Sequence, residues 1–136
     1  DQTAEEIKIK IGSAIPLDEE LAMMVKGRDF ISGFPRSTEV KTNEIVKAIN
    51  KELRDIIKAI KDVLQETPPE LAADIIDQEI IMTGGSSLLR NFPELVYRRI
   101  GVKARLAEDA IFCVVKGTGI ALNHLDTYKK SVLSKR

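Results

Sequence analysis

The chain has 136 residues, 43% hydrophobic and 31% charged, the composition of a globular domain long enough to bury a core. Its 21 Lys and Arg balance 21 Asp and Glu, Trp is absent and aromatics are only 4%. That excludes a dedicated nucleic-acid binder, which would show a basic patch or stacking platforms. Cys113 is the only cysteine, so no internal disulfide can form, and its setting in Ile111-Phe112-Cys113-Val114-Val115 reads as a buried, inert thiol. No stretch approaches the roughly 20 apolar residues of a membrane span, and no signal peptide is visible. The first residue is Asp1 rather than Met, so the chain reads as a piece of something longer.

The first segment carries two patterns. Ile7-Lys8-Ile9-Lys10-Ile11 alternates as a half-buried strand would, whereas Thr3-Ala4-Glu5-Glu6 fits a capping box and Ile7, Ile11 and Ile15 are four apart. The second pattern is preferred and predicts a helix from about Ala4 to Ser13, with Pro16 beyond its end. Residues 21 to 41 read as a β-hairpin with arms Leu21–Arg28 and Phe34–Lys41, joined through Asp29–Gly33; Pro35 marks an edge or an irregular start. Next, Ile45, Val46, Ile49, Leu53, Ile56, Ile57 and Ile60 recur at helical spacing. They predict one helix of about 24 residues, some 36 Å long, capped by Thr42 or Asn43. Its other side mixes Lys47, Lys51, Arg54, Lys58 and Lys61 with Glu44, Glu52, Asp55 and Asp62, and reads as a solvated face.

Thr67-Pro68-Pro69-Glu70 predicts a further helix with Thr67 as cap, Pro68 at its first position and Glu70 closing a capping box. A strand over 79–83 then runs into Gly84-Gly85-Ser86-Ser87-Leu88, and a helix is expected from about Ser87 to Arg99, ended by Gly101. The glycine pair permits a tight turn and close approach to the backbone, and the free amides of the next helix suit an oxygen-rich ligand such as a phosphate or ribose. A glycine pair between strand and helix is also ordinary turn chemistry. Val102 to Leu106 alternates as a strand, Glu108-Asp109 forms an acidic loop, and a last helix is expected from about Ile111 to Tyr128. Gly117 and Gly119 inside it each cost about 1 kcal/mol relative to Ala, so close packing against another backbone is expected to compensate. The basic tail, Lys129, Lys130, Lys135 and Arg136, reads as frayed and solvated, with at most a weak attraction to an anionic membrane.

These elements make a mixed α/β chain of about four strands, too few for a typical sheet; the remaining strands are expected outside it. Residues 1–66 read as an outer subdomain-like segment and 67–136 as part of a core with a terminal connecting helix. No complete active site is visible. One His and one Cys make no zinc site, no phosphate-loop or nucleophile-elbow motif occurs, and the acidic pairs Glu5-Glu6, Glu19-Glu20 and Glu108-Asp109 are adjacent, which keeps their side chains from facing each other. Neither catalytic nor metal residues are expected. Glu5 and Lys8 share a helix face, where an acceptor beside a cation can grip a base edge or a ribose hydroxyl; an ordinary surface ion pair is the alternative.

Taken together and in order, the following segments are similar to MreB, the bacterial actin homologue: Thr3-Ala4-Glu5-Glu6-Ile7-Lys8, Ile11-Gly12-Ser13-Ala14, Val25-Lys26-Gly27-Arg28-Asp29, Gly33-Phe34-Pro35-Arg36, Thr67 through Ile75, Thr83 through Arg90, Ala107-Glu108-Asp109, and Cys113 through Gly119. The resemblance covers nearly the whole chain except its last ten residues. It implies the second half, with its small outer subdomain, of an actin-like, ribonuclease-H-like ATPase fold. The hairpin and long helix would be that subdomain, and the Gly117-Thr118-Gly119 helix the segment where the two halves hinge.

The resemblance also implies a function. The intact protein would bind ATP with magnesium, assemble into filaments beneath the inner membrane, and direct cell shape with the cell-wall elongation machinery. It would be cytoplasmic and would touch the membrane mainly through parts outside this chain. Glu5, Glu6, Ile7 and Lys8 would close one side of the adenosine and Gly84, Gly85, Ser86, Ser87 and Leu88 the other. Two departures stand out: Ser86 occupies a position that is commonly a third glycine, and Ala110 one that is commonly Pro. Neither removes a donor. The family's phosphate loops, metal-binding Asp and water-activating Glu have no counterpart here, so hydrolysis is expected to depend on preceding sequence. A non-enzymatic filament or interaction module, and a fragment of another actin-fold ATPase of the heat-shock chaperone or FtsA type, are the alternative readings.

Overall fold

A computed structural model describes residues 2–133. Helix α1 spans Gln2–Ile11, so the helical reading of the first segment holds. It starts ahead of Thr3, which therefore lies within the helix instead of capping it. Strands β1 (Ala22–Arg28) and β2 (Pro35–Lys41) pair antiparallel from Ala22↔Lys41 to Arg28↔Pro35. Pro35 opens its strand, where a missing N–H costs least.

The hairpin turn is held by Asp29. Its Oδ1 accepts from the N–H groups of Ser32 (2.8 Å) and Ile31 (3.1 Å) and from the Ser32 hydroxyl (2.9 Å), while Arg36 pairs with Oδ2 at 2.9 Å. Gly33 returns the chain at φ +73°, a conformation glycine adopts freely. The Ser32 amide foremost, then Arg36 and the Ser32 hydroxyl, lower the Asp29 pKa from 3.8 to about 2. The folded pKa is depressed, so the carboxylate's support for the turn is complete above 3.8 and is lost as pH falls through about 2. The Ser32 amide resonance should accordingly titrate with a midpoint near 2. A midpoint at the ordinary carboxylate value would contradict this reading.

The expected long helix is divided at Ile49 into α2 (Thr42–Ala48) and α3 (Asn50–Glu66). Hydrogen bonds from Ile49 N–H to Ile45 O (3.0 Å) and from Leu53 N–H to Ile49 O (3.1 Å) bridge the break, so the apolar stripe stays on one side. Neither expected residue caps it. Lys41 occupies the cap position, and its N–H donates to Glu44. Thr42 is buried and bonds the backbone of Leu21, while the Asn43 amide spans Leu17, accepting from its N–H and donating to its carbonyl.

Helix α4 runs Pro69–Asp77 with Pro69, not Pro68, at its first position. The Thr67 hydroxyl turns back to donate to the Val63 carbonyl at 2.7 Å, closing the end of α3 rather than opening α4. Strand β3 (Ile80–Met82) pairs in parallel with β4 (Ala104–Leu106), with α5 (Phe92–Ile100) between them in sequence. Gly101 ends α5 at φ +84°. Helices α6 (Cys113–Asn123) and α7 (Leu125–Leu133) replace the single expected last helix, parting at His124. The regular backbone thus continues past Tyr128; Asp1, Lys135 and Arg136 lie outside the described residues.

The buried cluster joins Ala14, Leu53, Ile57, Phe92, Leu95 and Val96, with Ile80 and Met82 packed on it. It draws on residues from both sides of position 66. One expectation fails at the C-terminal end, and a second finds no partner among the described residues. No atom lies within 4 Å of a Cβ placed on Gly117 or Gly119, so these glycines pack on nothing among the described residues. Cys113 is half-buried, its Sγ 3.7 Å from the carbonyls of Glu108 and Asp109. Among the described residues no helix is long and apolar enough to cross a membrane.

Candidate functional site

The Gly84–Leu88 segment is a single 3-10 turn, Gly85–Leu88, rather than the start of an α-helix. The α-helix begins only at Phe92, because Asn91 adopts the left-handed conformation at φ +59° and interrupts the backbone. Asparagine is among the few residues that tolerate this. The turn therefore offers its own amides, and α5 begins only beyond Asn91.

Gly84 sits at φ +82°, ψ 163°, a region that is essentially glycine-only. Its N–H donates to the carbonyl of buried Ala110 at 2.7 Å, which ties the turn to the loop after β4. Ser87 is buried and its hydroxyl donates to Gly84 O at 2.6 Å, so this serine shapes the turn from behind. Gly85, Ser86 and Leu88 are exposed. No atom lies within 4 Å of a Cβ placed on Gly85, and the Gly85 and Ser86 N–H groups find no acceptor among the described residues. The product is an anchored backbone corner with two free donors and open space over a glycine.

The segment leaving that corner meets the end of α1. Ala14 N–H donates to Arg90 O at 2.8 Å, and Ser13 bridges Arg90 in a parallel pairing. Ser13 is completely buried; its hydroxyl donates to Ile15 O at 2.7 Å and lies 3.4 Å from the Asn91 amide. Gly12 is required here: a Cβ would come within 2.3 Å of the Lys8 carbonyl and 3.1 Å of Leu89 Cδ1. From this junction α1 rises past Lys8, one turn up, to Glu5 about two turns up, roughly 10 Å along the axis. The bases of the two predicted walls are thus joined.

Within α1, Glu5, Glu6 and Lys8 are exposed and Ile7 is half-buried. The ion pair on this helix is Glu6 with Lys10, not Glu5 with Lys8. No cluster of His, Cys, Asp or Glu able to hold a metal ion occurs among the described residues. Sequence reasoning missed Ser13, Asn91 and Ala110 as the parts that hold this corner. Asn91 ahead of Phe92-Pro93 was the available signal, since a left-handed residue ends one element before the next begins.

The family model for MreB/Mbl protein matches residues 1–130. The chain belongs to the MreB/Mbl family. It is 40% identical over 134 residues to the cell shape-determining protein Mbl of Bacillus subtilis, covering 98% of this chain and 40% of that protein. Against the cell shape-determining protein MreB of Escherichia coli the identity is 40% over 133 residues, covering 98% of this chain and 38% of that protein. Among solved structures, MreB5 of Spiroplasma citri bound to ADP superposes with a TM-score of 0.83 at 33% identity, over 96% of this chain and 39% of that one. The same protein bound to AMPPNP gives 0.84 at 31% identity, over 97% and 40%. The fold is therefore actin-like, as the sequence resemblance implied, and the chain spans about two-fifths of the length of the relatives it matches.

Proposed function

We propose that this chain supplies one part of the adenine-nucleotide pocket of an MreB-like ATPase that polymerises beneath the inner membrane and directs cell shape and cell-wall synthesis. The anchored glycine corner carries this reading. Gly85 and Ser86 have free amides, Gly85 leaves room for a planar or sugar moiety, and the Ser13–Arg90 bridge fixes α1 beside it. That donor set fits a nucleoside: backbone N–H groups meet its oxygens, and Glu5 and Lys8 offer an acceptor and a cation for its polar edge. The MreB5 structures with ADP and AMPPNP support the ligand class.

In this proposal Gly84 and Ser87 shape the corner, while Gly85, Ser86 and Leu88 face the ligand. Glu5, Glu6, Ile7 and Lys8 form the opposing wall. ATP with magnesium supplies the phosphoryl group whose cleavage the cycle uses. The groups that hold the metal and position the attacking water belong to the part of the protein outside residues 1–136. Residues 1–66 then act as the outer-subdomain segment and 67–136 as core. The filament contacts, the cell-wall elongation partners and the placement at the inner face of the membrane belong to the same proposal.

The full-length protein should bind ATP saturably and sediment as polymer when ATP and magnesium are added. Residues 1–136 by themselves should show no magnesium-dependent turnover. A full-length protein that polymerises equally well without nucleotide, and that fails to bind ATP, would favour a non-enzymatic interaction module.

A further inference from the structure

We propose that Ile111 and Phe112 form the apolar face on which the base of the nucleotide stacks, which makes the pocket selective for purines. The inference rests on the nucleotide reading above and deepens it. A nucleoside presents two kinds of surface, a sugar rich in hydroxyls and a flat base whose faces are apolar. The free amides of the glycine corner, with Glu5 and Lys8, answer its polar groups. Of the other residues assigned to the pocket, Ile7 and Leu88 are the large apolar ones, and neither offers a flat ring.

A second 3-10 turn, Ala110–Phe112, packs against the glycine turn. The 2.7 Å bond from Gly84 N–H to the Ala110 carbonyl ties the two together, and Ala110 is buried. Ile111 and Phe112 follow one and two residues beyond that carbonyl, at about 2 Å of rise each. Both are open to solvent, 57% and 55% exposed, and Leu88 at the end of the glycine turn is exposed as well. The turn is held in place by its own bonds. Asp109 enters it at φ +51°, its carbonyl accepts from the Phe112 N–H at 2.7 Å, and its carboxylate pairs with Lys116. A ring already fixed in position loses little freedom when a base stacks on it. In the sequence, Ile111-Phe112-Cys113-Val114-Val115 reads as one buried run. The structure divides it, giving the first two residues to the turn and the rest to α6.

Val114 and Val115 of α6 are also exposed, so the part of the protein outside residues 1–136 is the competing cover for this region. Position and shape favour the base for Ile111 and Phe112. They sit on the turn bonded to the glycine corner, whereas the valines lead away from it along α6. Phe112 supplies a planar face, and any base has a π-face to lay against it. A covering protein element would meet Phe112 and the valines alike and would be indifferent to which base is bound. A purine offers a larger face than a pyrimidine, so a stacking site discriminates between them.

The test titrates the full-length protein with ATP and with CTP. The wild type should prefer ATP. Phe112→Ala should weaken ATP about tenfold, the scale of one base–aromatic stack, and CTP much less, so that the preference shrinks. Phe112→Tyr should restore it, and Phe112→Leu, which keeps bulk and removes the ring, should fall between. Val114→Ala should leave the ATP-to-CTP ratio unchanged. The triphosphate of 2-aminopurine riboside, whose fluorescence drops when its ring stacks, should be quenched by the wild type and by Phe112→Tyr and not by Phe112→Leu. If ATP binds and Gly85→Val abolishes binding, yet Phe112→Ala and Phe112→Leu keep the wild-type ratio, the corner stands and this inference falls. Equal losses for ATP and CTP, or a change of ratio matched by Val114→Ala, would assign Phe112 to packing and overturn it too. A wild type that binds no nucleotide would remove the pocket and this face together.

Discussion

Gly85→Val in the full-length protein is expected to lower ATP affinity by about 100-fold or more, ~2.8 kcal/mol, while the fold survives. The two halves of that expectation have separate causes. The fold survives because Gly85 has no left-handed backbone and a Cβ there meets no atom within 4 Å. Affinity falls because the branched side chain fills the space over the turn and shields its free amides. Gly84→Val makes the opposite comparison: at φ +82° a side chain strains the turn itself, by about 1–3 kcal/mol. Isothermal titration with ATP, beside a denaturation curve, separates the two variants. Unchanged ATP affinity in Gly85→Val would remove the glycine corner from the pocket.

Phe92→Ala should cost about 3–5 kcal/mol of stability. Phe92 is 5% exposed at the first position of α5 and joins Leu53 and Ile57 of α3 to Leu95 and Val96. Truncation leaves a cavity where α3 of the hairpin-bearing segment meets α5, and close-packed helices relax into such a cavity only in part. The check is the midpoint of urea unfolding of the full-length protein, with the slope compared. A loss under about 1 kcal/mol would mean that this cluster does not join the two segments.

Where local chemistry was unambiguous, the sequence was readable. The hairpin emerged one residue shorter in each arm because alternation and a Ser-Gly turn coincide there. Gly101 ended α5 where expected, since nothing but glycine sits comfortably at φ +84°. The errors arose where two plausible caps competed. Thr67 stands between one helix end and two prolines, and propensity does not say whether its hydroxyl serves the helix behind or the one ahead. A helix is expected from about Ser87, yet the left-handed Asn91 postpones α5 to Phe92 and leaves Ser87 bonded to Gly84.

The candidate site was legible as motifs and not as an arrangement. Glu5-x-x-Lys8 and Gly84-Gly85 are short patterns with ordinary meanings, and the family resemblance gave them a shared ligand. What joins them is a buried hydroxyl at Ser13 and a carbonyl at Arg90, a pairing across 77 residues that no local pattern reveals. The glycines of α6 show the converse. Their spacing promised a close neighbour, and within residues 2–133 none is present.

Photolabelling of the full-length protein with an azido-adenine analogue of ATP, followed by peptide mapping, addresses the shared pocket most directly. Label should enter the peptides carrying residues 5–8 and 84–88, and excess ATP should suppress it at both. ATP-competed label confined to other peptides, with both of these unmodified, would contradict the account.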